Sequence, residues 1–315
     1  MRKMRPGNKT ERSFVAFIRN IVSAMALLAN KCIMPLIRER YSIDDGNRID
    51  PFIGDFNDTV NNTKESFLYY GEEAREHVGK QVSAGKKEIS APAVPKFIIP
   101  YVERGKTPFE NQLTRVVKDK VEKAAEESTE AVRYQINAVV GVDMGKMMQR
   151  ESLNDYISAA VSESVMLIKT IPDRFFSDIS RIVLDGYRSG TSLKQLSKSI
   201  QEVYNVHDFT AARIARDQIC KITSDVTIKR MKEAGIKRFK WTTSGDNRVT
   251  GNPAGLYPRA KVKCYDIARR DIGYGPGVYL ISEGAEVNGQ KGVYPGRAHI
   301  MDRCVATALI EGIDY

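Results

Sequence analysis

The residue types best suited to chemistry gather late in the chain, at Cys264, His299, Asp302 and Cys304. Thiolate, imidazole and carboxylate are the ligands zinc prefers, and a zinc ion can stabilise a module made mostly of loops. No close Cys-x-x-Cys pair accompanies them. A plainer use is open to each residue. Cysteine packs well as a small buried side chain, and His299 can serve packing and hydrogen bonding. The plainer use is the expectation here: no metal, no cofactor and no catalytic residue. With only His77, His207 and His299 in the chain, nothing brings a nucleophile, a base and an orienting acid together. No GK[ST] follows a glycine frame, so nucleotide hydrolysis has no support. The acidic stretch from Tyr41 to Asp58 misses the positions an EF-hand loop requires. These absences point to a protein that is not an enzyme.

Charge and composition narrow the partners. The 315 residues carry a net charge of +10 and 42% hydrophobic residues. That content suits a folded chain, and the charge favours DNA or an acidic protein surface. No helix-turn-helix or zinc-finger pattern supports sequence-specific recognition. Arg259, Lys261, Lys263, Arg269 and Arg270 are the most concentrated basic stretch, and could face DNA, acidic protein or water. The four cysteines lie far apart, which fits a reducing cytoplasm better than a disulfide framework. An apolar stretch runs from Phe14 to Ile37, but Arg19, Asn20, Asn30 and Lys31 interrupt it. It reads as an amphipathic helix that docks on protein and does not enter a membrane.

Periodicity supplies the elements that must position these residues. Phe14, Ile18, Ile21, Val22 and Met25 predict a helix over 11–40, which Pro35 bends or stops. Residues 41–58 read as an acidic connection, and 57–79 as a second helix ending near Tyr69 and Tyr70. The proline-punctuated stretch 83–108 contains PKFIIPYV, an edge strand or an extended arm. Thr107, Pro108 and Glu110 start the clearest helix, with Leu113, Val117, Val121, Ala124, Val132 and Ile136 on one face. A further helix runs over 153–167, then a hinge at Lys169–Asp173, then a short helix from Arg174 to Tyr187. Thr191 or Ser192 opens another. Asp208 caps a long one that ends at Gly235. Phe239 and Trp241 mark a strand. The run from Cys304 to Ile310 marks another, able to pair with Phe239–Trp241 or with Val278–Ile281. The expected fold class is α+β, mainly helical: long N-terminal and central helices with a compact C-terminal helix-plus-small-sheet module. The expected organisation is a helical and extended docking region (1–106), a helical domain (107–205) and an α+β module (206–315).

The module also carries a set of ordered motifs. These are Ala215-Arg216-Asp217-Gln218, Trp241 with Thr242 to Asp246, Arg248-Val249, and Pro295-Gly296 followed by Arg303-Cys304. In this order and spacing they resemble the head morphogenesis, or minor head, proteins of tailed bacteriophages of the Mu type. The resemblance covers roughly the second half of the chain. It implies a low-copy structural protein of the phage head, added near the portal, with the portal, major capsid or scaffold protein as partner. The resemblance implies histidine and paired-cysteine patterns in this region, but this chain has Asp302-Arg303-Cys304 where Cys-Arg-Cys is expected and Tyr294 before Pro295-Gly296, departures that weaken inherited metal binding at Cys264, His299, Asp302 and Cys304. Two other functions remain open: a DNA-associated head protein assisting packaging or ejection, and a virion-associated hydrolase.

Overall fold

A computed structural model describes residues 8–42, 49–68, 108–141 and 153–310. It is mainly helical, with long N-terminal and central helices and a small C-terminal sheet module, as the sequence leads one to expect. The proline-rich arm at 95–102, the tyrosine pair Tyr69–Tyr70, Thr107, His77 and the loop acids Asp44 and Asp45 lie outside the described residues. Contacts divide the chain into two interleaved compact units. One comprises Met1–Phe14, Lys118–Val161 and Ala215–Tyr315; the other comprises Val15–Val117 and Ser162–Ile214.

The described residues of the second are mainly helical, and several of its long helices run on in sequence into the first. Helix α1 (Asn8–Leu28) passes through one π-helical turn, Ala29–Ile33, into α2 (Met34–Ser42). The turn sits just ahead of Pro35, whose ring crowds the preceding turn and which lacks an N–H. There the Met34 N–H bonds to Ala29 O, one residue further back than in an α-helix. The proline therefore shifts the helix register without stopping the helix. By length and composition, Lys9–Glu39 is long and apolar enough to cross a membrane, and 44% of its most apolar window is buried inside the structure. Helix α3 (Ile49–Leu68) begins inside what reads as an acidic connection. Pro51 lies in its first turn, where a missing N–H costs nothing.

Helix α4 (Pro108–Val140) starts on its proline and buries the predicted stripe from Leu113 to Ile136. Ser128 on that stripe returns its hydroxyl to Ala124 O at 2.6 Å, which satisfies it without a partner element. Helix α5 (Asn154–Arg188) runs straight through the expected hinge, with Pro172 inside it. Ile168, Ile171, Phe175, Phe176 and Ile179 are all at most 2% exposed. That continuous apolar stripe outweighs a proline penalty of ~3 kcal/mol. Helix α6 (Leu193–Glu233) is likewise continuous. Ser192 caps it, exchanging hydrogen bonds with Gln195. Asp208 is therefore not a cap; it lies in mid-helix and pairs with Arg19. The helix closes as expected on Gly235 (φ 71°), with Ile236 N bonded to Met231 O at 3.0 Å and Gly235 N to Lys232 O.

The other unit holds the sheet. β1 (Arg238–Thr242) is central, antiparallel to β2 (Val278–Leu280) on one side and β5 (Val305–Leu309) on the other. Of the two pairings left open for β5, the one with β1 forms; β2 takes the other edge of β1 and does not meet β5. β1 buries Phe239 and Trp241 and turns Lys240 outward, the alternation a half-covered strand requires. A second sheet, the hairpin β3 (Ala285–Val287) with β4 (Gln290–Val293), turns at Asn288-Gly289, both with positive φ. Between β1 and β2 lies one short helix, α7 (Cys264–Ile267). The core of this unit joins Val132, Ile228, Met231, Trp241, Ile267 and Tyr279 among others.

Candidate metal centre

The loop from Tyr294 to Cys304 is seated on one face of α6. Gly296 makes this possible. A Cβ there would lie 2.9 Å from Ser224 Cβ and 3.1 Å from Cys220 O. The Ser224 hydroxyl donates to Pro295 O. Arg297 forms a two-pronged pair with Asp225, which also accepts from Tyr156 Oη at 2.8 Å. Asp217, near the same face of α6, accepts from Met301 N at 2.9 Å and pairs with Lys221 at 2.7 Å. Its partners are thus Lys221 and a backbone N–H, while the neighbouring Arg216 reaches Glu11 at 3.4 Å.

Asp302 organises the end of this loop. It is 1% exposed. Its Oδ2 accepts from Gly296 N at 2.9 Å and Ala298 N at 3.2 Å, and its Oδ1 from Cys304 N at 2.9 Å. Three backbone donors on one carboxylate fix it in place. Oδ1 also faces Cys264 Sγ and His299 Nε2, each at 3.9 Å. Cys264, His299 and Asp302 offer ligand atoms that all lie within 4.8 Å of one another. Cys304 adjoins the group through a hydrogen bond to Cys264. Three of the four residues singled out in the sequence therefore meet at ligand distance, and the fourth, Cys304, stands beside Cys264. Thr250 was not legible as a member. Its Oγ1 accepts from Cys264 N at 3.2 Å and lies 3.4 Å from His299 Nε2, and no signal in the sequence ties it to Cys264.

The local electrostatics favour a charged pair. The hydrogen bond from Cys304, which outweighs burial and is reinforced by His299, draws the Cys264 thiol down to about 6. Burial alone would lower His299, but its hydrogen bond to Cys264 and the charge of Asp302 lift it to about 9. Cys304 is held well above its ordinary value, by donating to Cys264 and by burial. A buried thiolate beside an imidazolium has two chemical uses, as nucleophile or as metal ligand. Cys264 is 1% exposed and Cys304 6%, so the folded site presents neither sulfur to a bulky substrate, and a reagent reaches them only through local opening. Coordination of a small ion needs no such approach. Asp246, at the far side of Arg303, holds that guanidinium at 2.7 Å and caps Arg248 N at 3.0 Å, a structural role.

No family model matches the chain, and no solved structure matches it. A stretch of 166 residues is 25% identical to an uncharacterized protein of Haemophilus influenzae (strain ATCC 51907 / DSM 11121 / KW20 / Rd), covering 52% of this chain. It covers 36% of that protein, so the likeness spans about a third of the relative's length.

Proposed function

We propose that this chain is a structural minor head protein of a tailed bacteriophage, acting without enzymatic activity in head morphogenesis, at the portal or inner capsid. One observation supports the reading most: the separate stretches that carry the resemblance are tied to one another within one unit. Asp217 of the first bonds the loop ahead of Arg303-Cys304, Pro295-Gly296 seats on α6 beside Ser224, and Asp246 grips Arg303. The buried thiols speak against the hydrolase alternative. Val206 and Phe209 on α6, 60% and 64% exposed, offer apolar surface of the kind a protein partner covers.

A DNA-associated role is the second reading, favoured by the exposure of Arg259, Lys261, Lys263, Arg269 and Arg270. Three of these are engaged locally: Lys263 pairs with Asp266 at 4.0 Å, Arg269 lies 3.4 Å above the Tyr265 ring, and Arg270 donates to Glu286 O at 2.8 Å. Deleting the gene from the phage or prophage that carries it tests the leading reading. The expected result is a loss of DNA-filled heads, restored by the gene in trans. An undiminished yield of infectious particles contradicts it.

A further inference from the structure

We propose that Cys264, His299, Asp302 and Cys304 bind one zinc ion, which fastens α7 to the lead-in of β5. The ion goes beyond the head-assembly reading and does not depend on it.

Four observations carry the site. First, the spacing is right for three ligands: Cys264, His299 and Asp302 offer atoms within 4.8 Å of one another, and Cys304, hydrogen-bonded to Cys264, has to swing in as the fourth. In a tetrahedral zinc site with bonds of about 2.0–2.3 Å, ligand atoms sit roughly 3.5 Å apart. Asp302 Oδ1 lies 3.9 Å from both Cys264 Sγ and His299 Nε2, so a few tenths of an ångström bring these atoms onto an ion. Second, the imidazole is already oriented. His299 Nδ1 faces Ile300 O at 2.9 Å, which holds a proton on Nδ1 and aims Nε2 at the site, where the metal displaces the second proton. A carbonyl in that position is the usual second partner of a zinc-bound histidine. Third, Asp302 is held by Gly296, Ala298 and Cys304 N–H groups on its other lone pairs, so its approach to the ion costs little ordering. Fourth, the backbone between His299 and Asp302 is strained. Met301 has φ 60°, a conformation unusual for a non-glycine residue, and its N–H is fixed by Asp217 at 2.9 Å. Strain of this kind collects where side chains must be aimed.

The alternatives have less to support them. A nucleophile at Cys264 has no route for substrate. A Cys264–Cys304 disulfide would need an external oxidant in place of the ion. The ligand set, two sulfurs with one nitrogen and one carboxylate oxygen, suits zinc better than magnesium or calcium, which take oxygen donors.

The test uses the purified full chain, freed of metal by a chelator and kept reduced. Titrated with Co(II), it should saturate at one equivalent. Intense visible bands of tetrahedral cobalt and a near-ultraviolet thiolate-to-cobalt transition should appear, and zinc should erase both. Cys264→Ala and Cys304→Ala should each weaken the thiolate transition. His299→Ala should loosen binding by about 100-fold, and Cys32→Ala should change nothing. Substituted chains could fail to fold, so the unaltered chain supplies a second measurement. Zinc should slow alkylation of Cys264 and Cys304 and leave Cys32 as reactive as before. Absence of a one-equivalent endpoint, octahedral spectra, or protection that omits Cys264 and Cys304 overturns the proposal.

Discussion

Replacing Gly296 with alanine should unfold the sheet-bearing unit far more easily than an ordinary glycine substitution. Gly296 has φ 89°, and its new Cβ would sit 2.9 Å from Ser224 Cβ and 3.1 Å from the backbone oxygen of Cys220. The conformation costs an alanine about 1–3 kcal/mol. The collision adds a similar amount, roughly 1–3 kcal/mol, because a carbonyl inside a long helix cannot swing aside. The total is about 2–6 kcal/mol. With a urea slope of about 1–3 kcal/mol per molar, the midpoint should fall by about 0.7 M or more. Trp241 is the single tryptophan and is 1% exposed in β1, so its fluorescence reports this unit selectively. Gly289→Ala is the control, since Gly289 has φ 81° but nothing within 4 Å of its absent Cβ. It should lose only the strain, about 1 kcal/mol. Equal midpoints for the two variants would refute the claim that the Pro295-Gly296 loop is pressed onto α6.

Three further outcomes follow from the same contacts. Arg230 is 2% exposed and joins Thr129 at 3.1 Å to Glu233 at 2.6 Å, so Arg230→Ala should cost about 3 kcal/mol in the same urea assay. Asp246 feels burial that would raise its pKa, yet hydrogen bonds from Arg303 and the Arg248 N–H hold its carboxyl below the ordinary range. Its stabilisation is therefore complete above the unfolded value of about 4 and vanishes as pH falls through the lower folded value. Asp246→Asn should flatten that acid limb in urea melts read by fluorescence across the range, while an unchanged limb would exclude the Arg303 contact. Arg259→Glu with Lys261→Glu should leave head assembly intact if these residues only face water. If they grip phosphates, the salt slope of DNA binding should fall by about two in filter-binding or anisotropy measurements.

Legibility varied with the physical signal. The stripe on α4 and the Gly235 stop of α6 could be read directly, because helical periodicity and a left-handed cap are local features. The separate helix at Asp208 and the hinge at Lys169–Asp173 could not be upheld. In both places a continuous apolar face, set by tertiary packing, carried the helix past a local breaker or capping signal. The hairpin at Asn288-Gly289 had a sequence signature, but β3 alternates over only three residues and β4 is exposed along three of its four, too little to mark a pair of strands. Cys264, His299, Asp302 and Cys304 were visible as a set of ligand types. Their convergence was not, since it depends on Thr250, Asp217 and the strained turn at Met301, none of which is marked by spacing. His299 was assigned to packing and hydrogen bonding, and the carbonyl of Ile300 is the bond that orients it.

The account stands most directly on whether this chain is built into a phage head. Heads purified from the host that carries the gene should contain it in few copies per particle by quantitative mass spectrometry. Chemical cross-linking of those heads should join its residues to the portal or the major capsid protein. Heads that assemble and fill with DNA yet contain no copy, with no cross-link in either mature particles or their precursors, would contradict it.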